Sequence, residues 1–170
     1  MKHMKIISRT LVVLFVASAI TACGFHLRGS TPLPAEISNI YIEAKNGPFK
    51  EKMEEVLSYG GATIATVQEA ASSTLIVQKS IVEKTVGTID ERGKANSYEL
   101  TYKVNYKLVD REGVSLRTAS LFENRRFDFD PDTVLETESE EENLIVDMEE
   151  SIALRVVRQL ATIKTGSSAN

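Results

Sequence analysis

Between Tyr98 and Leu108 the chain alternates without a break. Tyr98, Leu100, Tyr102, Val104, Tyr106 and Leu108 hold the even positions, and Glu99, Thr101, Lys103, Asn105 and Lys107 hold the odd ones. Side chains of a strand point to opposite faces in turn, so this pattern reads as a strand with one face buried and the other wet. Such a strand is not stable alone. It needs hydrogen-bonded neighbours at its edges and a second layer over its apolar face, and the rest of the chain has to supply both.

The neighbours are local. Thr74 to Ile89 is rich in β-branched residues and ends at Asp90-Glu91-Arg92-Gly93, while Val114 to Phe129 follows Asp110-Arg111-Glu112-Gly113 and stops at Asp130-Pro131-Asp132. Turns ending in Gly between such runs predict hairpins, hence three consecutive antiparallel strands. The covering layer is helical. Phe49, Met53, Val56 and Leu57 share one helical face behind Pro48, a residue suited to a first helical position, with Asn46 or Gly47 as cap and Gly60-Gly61 as the exit; this predicts a helix over 48–59. Ile145, Met148, Ile152, Val156, Leu160 and Ile163 form a second stripe. That helix is expected to open near Ser139 through a capping box with Glu142, with Glu140, Glu141 and Glu142 at its positive end and Arg155, Arg158 and Lys164 toward its negative end.

Ile37, Ile40, Tyr41 and Ile42, between Pro34 and Lys45-Asn46-Gly47, read as a first strand. Residues 62–73 are ambiguous, with Ile64 and Val67 offering at most a short strand end. The predicted fold is therefore α/β (α+β): a four-stranded mixed β-sheet with two α-helices packed on one face, in the order β-α-β-β-β-α.

The amino terminus carries a different message. Lys2, Lys5 and Arg9 precede an apolar run from Leu11 to Ile20, which suits an export signal and is too short for the roughly 20 residues of a membrane span. Ile20-Thr21-Ala22-Cys23 resembles a bacterial lipobox, which implies cleavage before Cys23 and an N-palmitoyl, S-diacylglycerol cysteine there. Gly24 rather than Asp follows, the pattern of lipoproteins that continue to the outer membrane, inner leaflet. The expected division is a signal peptide over 1–22, a lipidated tether over 23–35 containing Pro32 and Pro34, a single domain over 36–164, and a flexible tail over 165–170.

Removing the signal takes three of the 20 Lys+Arg, leaving 17 against 24 Asp+Glu, a formal charge of −7. That excludes a nucleic-acid footprint. With Cys23 acylated and His26 the one histidine after it, neither a nucleophilic triad nor a zinc site is available, and no cofactor or metal is implied. Asp128, Asp130 and Asp132 open like a calcium loop but fail its later positions, where Thr133 replaces Gly and Ser139 replaces Glu; a strand end and turn is the better reading. The block Glu136, Glu138, Glu140, Glu141 and Glu142 reads as a solvated face matched to the helix dipole. Arg92 and Lys94 in the first hairpin turn, with Arg125 and Arg126 on the last strand, are the basic groups placed to meet an anion; the alternative is charge that serves solubility.

Cys23-Gly24-Phe25-His26-Leu27-Arg28-Gly29 closely resembles the mature start of the LPS-assembly lipoprotein family. Arg125-Arg126-Phe127-Asp128-Phe129-Asp130-Pro131, Leu135, the Glu run, Met148 and Arg155-Val156-Val157-Arg158-Gln159-Leu160 are similar to that family's last strand and helix, so the resemblance covers residues 23–164. It implies the two-helix, four-stranded mixed sheet, and an outer-membrane lipoprotein that plugs the β-barrel LPS-assembly protein (LptD), helps it assemble and binds lipopolysaccharide without catalysing a reaction. It also implies contacts to lipid A phosphates near the hairpin after the second strand, where Arg92 and Lys94 stand. A second contact near the start of the last helix would meet Glu136 to Glu142, a departure from the family pattern. The rivals are a general outer-membrane scaffold lipoprotein of another envelope-assembly complex and a lipoprotein enzyme using carboxylate chemistry.

Overall fold

The computed structural model describes residues 33–163. The signal, Cys23, His26, most of the tether and the tail lie outside them. Within them the elements run β1 (Asn39–Glu43), α1 (Pro48–Tyr59), β2 (Thr63–Ile64), β3 (Ser73–Ile89), β4 (Ala95–Asp110), β5 (Ser115–Asp128) and α2 (Val134–Ala161).

The alternating stretch is the core of β4, paired antiparallel to β3 on one side and β5 on the other. Leu100, Tyr102, Val104, Tyr106 and Leu108 are all buried, and both helices lie over that face. The opposite face stays open, with Phe122 and Ile81 exposed on either side of Lys103 in register. The two hairpin turns are built alike. Gly93 (φ +77°) and Gly113 (φ +82°) take the left-handed conformation that closes each turn, and Asp90 and Asp110 accept backbone hydrogen bonds within them.

The sheet has five strands, in the order β2-β1-β3-β4-β5, not four. β1 pairs parallel with β3 as the strand-helix-strand opening requires, and β2 adds a parallel edge beside β1 through Asn39↔Thr63 and Ile40↔Ile64. Two residues carry too little pattern to announce a strand, although Ile64 is one of the residues that hinted at it. Ile37 is also displaced from its expected strand: it closes a 3-10 turn over Ala35–Ile37, donating to the Pro34 carbonyl at 3.0 Å, yet it is wholly buried.

Helix α1 runs over the residues expected and buries Phe49, Met53, Val56 and Leu57. Helix α2 begins at Val134, before the proposed capping box, so Ser139 and Glu142 lie inside it. Leu135 and Glu136 are good helix formers, and the Asp130-Pro131-Asp132 turn ends in Thr133, whose carbonyl accepts from the Thr137 amide at 3.1 Å. Within that turn Asp130 accepts the Asp132 amide at 2.9 Å. Met148, Ile152, Val156 and Leu160 sit in the core, each contributing about 1.5–3 kcal/mol of burial, with Ile145 and Ile163 half-buried at its margin.

β1 reaches β3 only from Ser73 to Ile76, so β3, β4 and β5 continue beyond it as a three-stranded arm ending at the Asp90–Lys94 turn. The chain enters at the other end of the sheet, beside Thr63 and Ser73, and α2 finishes there.

Candidate functional site

Two places on this frame gather functional groups. The first is the tip of the arm. Arg92 and Lys94 stand together on the β3–β4 turn, both exposed, and their backbone amides donate to Asp90 Oδ1 at 2.8 and 2.9 Å. Among the described residues no hydrogen bond or ion pair engages either charged end. The turn thus holds two cations on a fixed backbone.

Arg125 and Arg126 do not join them. Arg125 points to the helix face and pairs with Glu123 at 2.5 Å, while Arg126, the next residue, faces the open side opposite Glu99. Glu123 also accepts from Ser151 at 2.6 Å, and Arg155 donates to the Phe122 carbonyl at 2.9 Å, so these groups fasten α2 to β5. Of the basic residues expected toward the end of α2, Arg158 lies in its last turn, and Arg155 stands just before it. The start of α2 lies at the same end of the molecule as the tip, since Glu141 pairs with Lys84 of β3, whose ammonium sits 4.5 Å from the centre of the Tyr98 ring. Glu141 is therefore engaged with the sheet rather than being part of a wholly solvated face.

The second place is a cleft of about 480 Å³ at the point where β1 ends. Ala44 to Phe49 form one wall and Val77 to Val82 of β3 the other, with Tyr102 and Glu149 beneath. Tyr102 packs its ring edge-on against Phe49 and donates its hydroxyl to Glu149 Oε1 at 3.3 Å; Ser80 lies 2.6 Å from the same hydroxyl and donates to it. Burial raises the Glu149 carboxyl above its ordinary value, opposed by the Tyr102 hydrogen bond and the charge of Lys52. Burial likewise raises the phenols of Tyr102 and Tyr106.

Sequence reasoning missed this cluster. One signal was present: a tyrosine amid buried positions brings a hydroxyl that has to find a partner. Glu149 gave the other, because it lies between Ile145 and Ile152 at helical spacing and so borders the apolar stripe. Among the described residues no group of three or more His, Cys, Asp and Glu side chains is arranged to hold a metal ion.

A family model described as Lipopolysaccharide-assembly (LptE) matches residues 37–160. The chain is 32% identical to an LPS-assembly lipoprotein LptE of Photorhabdus laumondii, over 89% of this chain and 85% of that one, and 28% identical to one of Pectobacterium atrosepticum, over 89% and 84%. A solution structure of lipoprotein B from Nitrosomonas europaea superposes with a TM-score of 0.70 at 27% identity, covering 81% of this chain and 90% of that one. The rare lipoprotein B of Shewanella oneidensis shares the fold, with a TM-score of 0.64 at 18% identity over 73% and 94%. With the family match spanning both helices and all five strands, the chain belongs to the LptE family of lipopolysaccharide-assembly lipoproteins.

Proposed function

We propose that this protein is a non-catalytic lipoprotein of the outer membrane, anchored through Cys23 in the inner leaflet, that plugs a β-barrel LPS-assembly partner and takes part in its assembly. It faces the periplasm and the barrel lumen, and it binds lipopolysaccharide on the way to the cell surface. The observation that carries this reading is the family match across residues 37–160. Capture of the lipid-anchored chain from detergent-solubilised outer membrane tests it. One large barrel recovered in equal amount is the expected result, whereas several partners or cell-wall material would replace it with the general scaffold reading.

Arg92 and Lys94 are the proposed lipid A phosphate contacts, supported by their exposure side by side on one turn. Anionic phosphate meeting two fixed cations is a charge-assisted contact, so replacing both with Glu is expected to weaken lipopolysaccharide binding by the purified chain about tenfold or more. Unchanged affinity sinks the contact. The acidic start of α2 supplies no second cation site, leaving the turn to act alone.

A further inference from the structure

We propose that the cleft where β1 ends is a docking site for an extended polypeptide segment that pairs with the free edge of β3 and sends one basic side chain, flanked by an acidic one, toward Glu149. Neither the barrel reading nor lipid binding is needed for this.

The edge comes first. β1 pairs with β3 only as far as Ile76, and from Val77 onward β3 has β4 on one side and, among the described residues, no strand on the other. Its outward amides and carbonyls are a template that only another extended backbone matches along its length. Nature commonly blunts such an edge with bulges. Here the register shifts fall between Val77 and Lys79 and between Val86 and Thr88, leaving a regular stretch from Lys79 to Val86. The opposite edge of the sheet is treated differently, since Arg155 of α2 occupies the Phe122 carbonyl of β5.

The side-chain chemistry then selects the segment. The cleft lies in line with β1 and along the open part of β3, so a strand laid there has alternate side chains facing the helix layer. On that side are the ring of Phe49, Val77 and Val82, and below them Glu149, 9% exposed, whose carboxylate accepts a hydrogen bond from Tyr102. The nearby Lys52 ammonium is committed to Glu55 at 2.7 Å. A buried carboxylate with one neutral donor and no bound cation is a mismatch that an incoming Lys or Arg corrects. On the other face the register puts Lys79 beside Asn105, pointing away from the helices, where an acidic neighbour of the basic residue would meet it. Strand alternation thus turns two protein charges of opposite sign on opposite faces into a basic-acidic pair in the ligand.

The probe is a synthetic peptide, Val-Thr-Val-Glu-Lys-Thr-Val with blocked ends, titrated into the full chain in detergent and followed by calorimetry and amide hydrogen exchange. Expected are saturable one-to-one binding and slowed exchange confined to Gln78–Glu83. Glu149→Gln, which keeps the shape, should weaken binding at least about tenfold, and norleucine in place of the peptide's Lys should do the same without adding to the first loss. Lys79→Glu, an exposed change that leaves the core alone, should weaken it too. The proposal is overturned if the peptide does not bind, if protection appears on β5 instead, or if the Glu149 variant binds as well as the parent. It is equally overturned if protection of Gln78–Glu83 rises with protein concentration without peptide, which would make a second copy the occupant.

Discussion

Tyr102 joins four elements: its ring meets Phe49 of α1, its backbone belongs to β4, and its hydroxyl links Ser80 of β3 to Glu149 of α2. Tyr102→Phe keeps the ring and removes the link, leaving a buried carboxyl and a hydroxyl without their partner. A loss of about 1–3 kcal/mol in urea denaturation is expected. Glu149 gives a prediction with a sign. Its carboxyl is raised above the usual 4.5, so the folded chain binds the proton more tightly than the unfolded one. The stability this confers is full below the unfolded value and falls as pH rises through the folded one. Glu149→Gln removes that slope, so the variant should gain on the parent as pH climbs from about 4.5 toward neutrality, measured by denaturation at a series of pH values. At this scale the sequence shows which residues are apolar and periodic. It does not show that Ser80, Tyr102 and Glu149 meet, because their separations along the chain give no local spacing to read.

Among the elements, those with long unbroken patterns were legible and those defined by tertiary pairing were not. β4 follows from its alternation and α1 from its apolar face, whereas β2 is only two residues long and exists because β1 offers it an edge. The start of α2 shows a second kind of limit. A capping box at Ser139 and Glu142 is a sound local signal, yet helix propensity in Leu135 to Glu138 and the Asp130 turn together carry the helix further back. Ile152 lies in the buried stripe of that helix, and Ile152→Ala should cost about 2–5 kcal/mol, read from the denaturation midpoint. β3 contains a glycine for a steric reason: a Cβ on Gly87 would come within 2.7 Å of Ser97 Oγ, at the register shift beside Thr88. Gly87→Ala should therefore destabilise the arm by about 1–3 kcal/mol, and by less in a chain that also carries Ser97→Ala, a coupling that a double-mutant cycle measures.

For the whole molecule, fold class was legible because two helical stripes and one alternating strand allow few arrangements, and family membership because residues 23–29 and the last strand and helix resemble the family whose model matches residues 37–160. The tip was legible as a basic turn. The cleft was not, since it arises where one strand stops and its neighbour continues. The proposed lipid anchor belongs to this scale as well: Cys23→Ser should leave the protein unacylated, seen as loss of lipid mass in mass spectrometry and a shift from the membrane to the soluble periplasmic fraction.

That same inequality of strand lengths sets a distance. From Ile76, the last residue of β3 paired with β1, to Ile89 the arm advances 13 residues, or roughly 40 Å at strand rise. The hydrocarbon core of a bilayer is about 30 Å thick. The chain enters the fold beside Thr63 and Ser73, at the end opposite the tip, so the arm holds Arg92 and Lys94 more than a membrane's thickness away from that entry. The length of the arm is set by β3 and β4: removing two residues from each would draw the charged turn back by about 7 Å.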